Sequence, residues 1–236
     1  MKSVDYAGMF VKEFHEALEE NPTAWVPIGL LEFHGDHLAL GCDFLNAYGL
    51  CRLLAETYGG IVLPPSYFGA QGFSSYEGTI EFPSDLASAL LTALLQQLEK
   101  VRFKTAIILS GHGGSVQDKM VAKAVEDYEK EGSVRVIVLR PGAIVGPSGE
   151  WPPHATARET ALLQALYPEA VDVSRFVPGK EFKIAYQVPR YKRESWQIGE
   201  VDIREQPLAA MAKDYLERLV KGVGELLNPA SMPNRE

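Results

Sequence analysis

The chain has 236 residues, 46% of them apolar and 23% charged, an ordinary globular composition that is ample to bury a core without disulfide staples. Its net charge of −8 argues against non-specific nucleic-acid binding, which needs clustered Lys and Arg; the nearest approach, Arg190, Lys192 and Arg193, reads as a solvated surface. No apolar run reaches the roughly 18 residues of a membrane span, the first ten residues lack the apolar stretch of an export signal, and Cys42 and Cys51 do not make a disulfide framework, so a cytoplasmic protein with reduced thiols is expected.

Taken in chain order, residues 5–20 have amphipathic helical spacing that stops before Asn21-Pro22. Residues 25–31 are an apolar run of strand length, and 32–43 are a polar loop. Helical spacing returns over 44–58 and ends at Gly59-Gly60, a good C-terminal stop. A short strand at 61–63 is closed by Pro64-Pro65, and a Gly/Ser loop covers 66–78. Ser84 is placed as the N-cap of a helix over 85–100. Then come a buried strand at 105–109, a glycine turn at 110–114, a helix over 116–131, a strand at 134–139, and a second long loop opened by Pro141. Residues 157–166 and 207–227 have helical spacing, while 171–204 read as loop or short strands. Helix and strand alternate through residue 140, which predicts an α/β fold with a mostly parallel sheet covered on both faces. With no repeat, low-complexity tract or linker, residues 1–236 are expected to form a single domain.

Four of the five histidines fall in predicted loops; only His15 lies in a helical pattern. In an open parallel sheet, ligands bind beyond the carboxyl ends of the strands. Glu32-Phe33-His34 follows the first strand and His112 follows the strand at 105–109, so both are predicted at one rim. Glu32 and His34 are two apart and share a face of an extended segment. Asp43 starts the next helix, where its carboxylate can face the same rim; an ordinary N-cap is the alternative reading. His112 sits in Ser110-Gly111-His112-Gly113-Gly114, whose glycines allow close backbone approach; a glycine turn with a chance His is the plain alternative, and the Lys-Ser/Thr pair of a P-loop is missing. His154 follows Pro152-Pro153, and Glu159 comes five residues later at a helix start, where a surface His and a dipole-favoured Glu are the plain alternative. As a set, oxygen and nitrogen donors without Cys suit Zn, Mn or Fe. Three carboxylates and two neutral imidazoles leave two divalent ions with one surplus positive charge, which a bridging hydroxide neutralises. Five ligands suffice if Asp43 bridges, as in hydrolytic two-metal sites with ions about 3.5–4 Å apart.

The stretches VPIGLLEFHGDHLALGCD (26–43), YEGTI (76–80), LSGHGGS (109–115) and HATARET (154–160) resemble the signature blocks of the creatininase (creatinine amidohydrolase) family, in order and spacing. The resemblance covers roughly residues 24–168, and Glu-x-His-Gly-x-His-Leu followed by Gly-x-Asp is its most specific part. It implies a three-layer α/β/α sandwich that assembles as a homo-oligomer, a hexamer. It also implies two divalent ions held by Glu32, His34, Asp43 and His112, with Asp43 bridging. In creatininase itself a Glu two residues after the Gly-His histidine completes the site; here that position is Gly114, and Glu159 of the later block is assigned instead. His154 matches the histidine that shuttles a proton to the leaving group, and with Glu159 it forms the catalytic set. His37, Gly113, Gly114, Trp151 and Tyr76 are placed behind the ligands or facing the substrate. Trp151, Phe73, Tyr76 and Trp196 are pocket or core aromatics.

Thr156, Ala157 and Ala161 depart from the family's later block, and the loop GAQGFSSYEG at 69–78 lacks the His many members carry. The chain is therefore identified as a member of the family other than creatininase proper. The expected activity is hydrolysis of a C–N bond in a small polar amide, cyclic or a formamide, by a metal-bridging hydroxide. Its partner is a small-molecule substrate, with no nucleic acid and no membrane. Hydrolytic opening of a carbocyclic ketone at the same site and non-catalytic small-molecule binding are the alternatives.

Overall fold

Residues 4–145, 154–187 and 195–228 are described by a computed structural model. Strands β1 (Thr23–Ile28), β2 (Ile61–Val62), β3 (Thr105–Ser110) and β4 (Arg135–Leu139) form one sheet in the order β2-β1-β3-β4, each neighbouring pair parallel. The helices are α1 (Val11–Glu20), α2 (Cys42–Tyr58), α3 (Ser84–Lys100), α4 (Ser115–Glu129), α5 (Pro141–Val145), α6 (Ala157–Leu166) and α7 (Leu208–Leu227).

The central strands are apolar without interruption because both faces of the sheet are covered. Successive side chains enter opposite cores. Ala24, Val26, Ile28, Ala106 and Ile108 pack with Leu91 and Leu95 of α3, Met120 and Ala124 of α4, and Phe14 of α1. Trp25, Ile107 and Leu109 pack on the other face with Leu50 and Leu54 of α2, Leu162 of α6, and Leu219 and Val223 of α7. The result is helices, sheet, helices. Pro27 is tolerated in a central strand for a local reason. Its carbonyl accepts from Ser66 N, so its missing donor faces the side where β2 has already ended and Pro64-Pro65 follow.

Several element boundaries differ from the sequence expectation. Residues 5–20 are not one helix: a 3-10 turn at Tyr6–Gly8 precedes α1. The Glu13 carboxylate accepts from Phe10 N at 2.9 Å, which caps the first turn and starts the helix at Val11. β1 begins at Thr23 and ends at Ile28; Gly29 N donates to Ser66 O and leaves the ladder with β3. Pro83, not Ser84, occupies the cap position of α3. Pro141 does not open a loop but begins α5, since a proline with its preset φ suits the first helical position. Within 171–204 lie 3-10 turns and an antiparallel pair, β5 (Glu181–Lys183) with β6 (Ser195–Gln197). Cys42 and Cys51 are both buried and free. Among the described residues no helix is long and apolar enough to cross a membrane.

Candidate metal centre

β1 and β3 run in register to their carboxyl ends, where Ile28 faces Ser110. The segments that follow them therefore leave the sheet at one rim and carry Glu32, His34 and His112. Asp43 arrives from the side, on the first turn of α2. Gly111 makes that approach possible: a Cβ there would lie 1.9 Å from the Asp43 carbonyl oxygen. The loop bearing Glu32 and His34 is closed by Glu32 N donating to Leu40 O at 2.8 Å. It is pinned from outside by the 76–80 stretch, where Phe33 N donates to Thr79 Oγ1 at 2.9 Å and Ile80 N to Leu31 O at 2.9 Å. Glu159 comes from the first turn of α6, oriented by Ala155 N donating to its Oε2 at 2.6 Å. Ala155 holds φ at 56°, in the left-handed region, to make that contact.

The donor atoms converge. His34 Nε2 lies 3.1 Å from Asp43 Oδ1, 3.6 Å from Glu159 Oε1 and 3.9 Å from Glu32 Oε2. His112 Nδ1 lies 3.1 Å from Asp43 Oδ2 and 3.2 Å from Glu32 Oε2. Each Asp43 oxygen thus faces a different histidine. Glu32, His34, Asp43, His112 and Glu159 are all 8% exposed or less. Despite the short distances, His34 Nε2 and Asp43 Oδ2 make no hydrogen bond among the described residues. Leaving such buried atoms unsatisfied costs about 1–3 kcal/mol each. A cation among them satisfies both, and carboxylate and imidazole donors suit a divalent transition metal.

The imidazoles are oriented from behind. His34 Nδ1 is 3.0 Å from the Glu32 carbonyl, His112 Nε2 is 3.0 Å from the Gln71 carbonyl, and His154 Nε2 is 2.6 Å from the Phe33 carbonyl. A carbonyl only accepts, so in each ring that nitrogen carries a proton, and in the neutral form of the ring the other nitrogen turns a lone pair inward. His154 Nδ1 consequently faces Glu32 Oε2 at 3.9 Å.

Electrostatics follow from this crowding. Burial raises the Glu32 carboxyl. Burial opposes charge on His34, but Cys42, Glu159 and Asp43 outweigh it and raise the imidazole well above its ordinary value. Glu32 and Asp43 do the same for His112. In return His34 and His112 outweigh burial at Asp43 and hold its carboxyl well below the usual carboxylate range. His154 is driven the other way, well below the ordinary imidazole value, by burial and then by the neighbouring His34. Burial pushes the Cys42 thiol up to about 12.

A cavity of about 670 Å³ opens on the cluster. Glu32, His34, Asp43, His112, His154 and Glu159 line one part of it, and Gly113, Gly114, Asp118, Val138 and Arg140 another. His37 does not line it; the ring is buried, its Nε2 is 3.0 Å from Thr160 Oγ1, and burial followed by the nearby His34 lowers it to about 4. Tyr76 is 1% exposed and stands behind the cavity wall, stacked on Phe33 at 5.3 Å. Trp151 lies outside the described residues.

Phe73 belongs to the site more closely than its sequence suggested. Its backbone N donates to Glu32 Oε1 at 2.6 Å, while its ring stacks on His154 at 4.0 Å with an interplanar angle of 7°. Trp196 meets both rings edge-on at 5.2 Å. Gln71, with φ of 52°, supplies its carbonyl to His112. The Phe73 amide and the Gln71 carbonyl act through the backbone, which no residue type announces.

Residues 7–227 match the family model described as Creatininase: Creatinine amidohydrolase. The chain is 28% identical to a creatinine amidohydrolase of Pseudomonas putida over 178 residues, 64% of this chain and 67% of that one. It is 27% identical to a mycofactocin precursor peptide peptidase of Mycolicibacterium smegmatis over 201 residues, 82% of this chain and 78% of that one. Among solved structures, a manganese creatininase superposes with a TM-score of 0.75 at 20% identity, over 98% of this chain and 100% of the other. A Zn–Zn-type creatininase mutant does so at 0.74 and 21% identity, over 99% and 100%. At these identities the superpositions establish a shared fold.

Proposed function

This chain belongs to the creatininase family and is a metal-dependent amidohydrolase, and on that premise we propose that it cleaves a C–N bond in a small polar amide at a dinuclear centre. The observation that carries the reading is the convergence of five buried ligands, with the two Asp43 oxygens turned to different histidines. Glu32, Asp43 and His112 would hold one divalent ion and His34, Asp43 and Glu159 the other, with manganese or zinc, the metals of the superposed creatininases, as the first candidates. Bound there, divalent ions polarise an amide carbonyl and lower the pKa of water toward about 7.

The protein's own groups do the rest. The Glu32 and Gln71 carbonyls orient the two ligand imidazoles, His34 and His112, and the Phe33 carbonyl orients His154. His154 stays neutral through burial, and its inward Nδ1 accepts a proton from the attacking water. The same atom then delivers that proton to the departing nitrogen, so no net proton is consumed at His154. Phe73, stacked on the ring, keeps Nδ1 aimed at the cluster.

The cavity's volume also favours a second reading within the same chemistry, a short peptide, since about 670 Å³ exceeds the needs of one small ring. The curated relatives include both an amidohydrolase and a peptidase by name. Neither carbocyclic ring opening nor non-catalytic binding gains support from them. The test is turnover of manganese- and zinc-loaded protein on creatinine, N-formyl compounds, short peptides and a cyclic diketone. Amine release from one of the first three, abolished by a chelator and restored by metal, is expected. Turnover of the diketone alone overturns the C–N reading, and no bound metal after reloading overturns the dinuclear one.

A further inference from the structure

Cys42 is the first residue of α2 and precedes Asp43 directly. Its side chain is wholly buried. Its Sγ forms one group with ligand atoms of His34 and Glu159, all within 4.8 Å of one another. A second observation marks this group as a cation site: His34 Nε2 is buried in it and without a hydrogen-bond partner among the described residues. A third concerns the sulfur itself. Asn46, one turn along α2, donates its Nδ2–H to Sγ at 3.5 Å, a bond that thiol and thiolate sulfur both accept. The two other candidate groups among the described residues, Glu32 with Asp43 and His112, and Glu32 with His34 and His154, contain only oxygen and nitrogen donors.

We infer that Cys42 is a sulfur ligand to the ion held by His34 and Glu159, and that it makes this half of the centre selective for zinc over manganese. The inference rests on the dinuclear reading above. Its chemistry is ligand softness: thiolate widens the preference for zinc over manganese beyond what nitrogen and oxygen ligands give, and carboxylate and water suit manganese better than sulfur does. The half built on Glu32, Asp43 and His112 has no such bias. When the ion binds, its charge displaces the thiol proton to solvent and the S–H bond is exchanged for a metal–sulfur bond. No oxidant or reductant is involved. The acidic and imidazole donors are those expected of a hydrolytic site; the sulfur is the addition that this chain makes to them.

Cobalt(II) reports the ligand directly, because a coordinated thiolate adds an intense near-ultraviolet charge-transfer band that oxygen and nitrogen ligands do not give. The full chain is stripped, reloaded with cobalt(II), and its cobalt content and absorption spectrum are recorded. The chain has two cysteines, so a Cys51→Ala protein assigns the band without altering the site. The expected result is two cobalt ions per chain, a band that persists in Cys51→Ala, and its loss in Cys42→Ser. Competition of zinc against manganese, read by elemental analysis, should lose roughly tenfold or more of its zinc preference in Cys42→Ser. If Cys42→Ser fails to fold, the band in Cys51→Ala still assigns the ligand. Cobalt bound with no charge-transfer band, or a band that survives in Cys42→Ser, overturns the sulfur ligand and leaves the dinuclear reading standing. No cobalt bound at all overturns the dinuclear reading, and the sulfur ligand with it.

Discussion

The two halves of the centre are built in different ways. Glu32, His34 and His112 sit on segments that leave adjacent parallel strands, and Asp43 enters on a helix seated against Gly111. Their positions follow from the sheet. His154 and Glu159 come from a separate stretch more than forty residues later, ahead of and inside α6. They are held by contacts from separate loops: Ala155 N to Glu159, and the Phe33 carbonyl with the Phe73 and Trp196 rings to His154. On the proposed reading, the sheet-borne half would assemble metal, and the later half would complete one position and supply the proton carrier. Substitutions should separate them.

The largest effect belongs to the residue that faces both histidines of the cluster. Asp43→Ala should lose metal and activity together, since one oxygen faces His34 and the other His112. Asp43→Asn keeps the shape without the charge and should lose at least one ion by elemental analysis; full occupancy would remove the bridge. Glu159→Gln tests the later half. Metal content should fall by one ion per chain while the Glu32–Asp43–His112 position stays filled, and two ions bound normally would move the missing ligand elsewhere.

His154→Ala should keep its metals, because the five assigned ligands remain, and lose about 10²–10⁴-fold in turnover on substrates with poor leaving groups. The loss should shrink where the leaving group needs no proton. Loss of metal with activity would make His154 a ligand, as its inward Nδ1 also permits.

Metal affinity should depend on pH with a definite sign. His34 and His112 are raised well above their ordinary values, so protons occupy the nitrogens that an ion needs. Affinity should weaken as pH falls, and titration calorimetry in buffers of different ionisation enthalpy should detect proton release on binding. A pH-independent affinity would contradict the imidazole ligands. The smallest effect is expected for Phe73→Leu, which removes the ring but keeps the backbone donor to Glu32. A stacked pair is worth about 0.5–1.5 kcal/mol, so turnover should fall about two- to tenfold with no change in metal content.

Much of this was legible from residue order. The alternation of helix and strand required a parallel sheet, and the strands' period-two side chains required two cores. Because β1 and β3 both end in a polar turn, Glu32, His34 and His112 had to emerge at one rim. Gly59-Gly60 stopped α2 as expected. Local punctuation misled where a contact from elsewhere decided the outcome: Glu13 capping Phe10 broke the first helix, and Pro141 served as a helix start.

What the order of residues determined by itself, then, was the set of chemical groups and the edge of the sheet from which half of them project, because strand direction and side-chain alternation are local properties. Only the tertiary structure decided how those groups face one another. It set the 3.1 Å approaches on either side of Asp43, the ring nitrogens turned inward, and the packing of Phe73 against His154. It also brought Sγ of Cys42 beside His34 and Glu159, which no spacing along the chain foretells. The reason is physical: orientation within the cluster is fixed by backbone carbonyls and amides of Glu32, Phe33, Gln71, Phe73 and Ala155. Every residue carries such groups, and only the folded path of the chain determines which of them lie within hydrogen-bond reach.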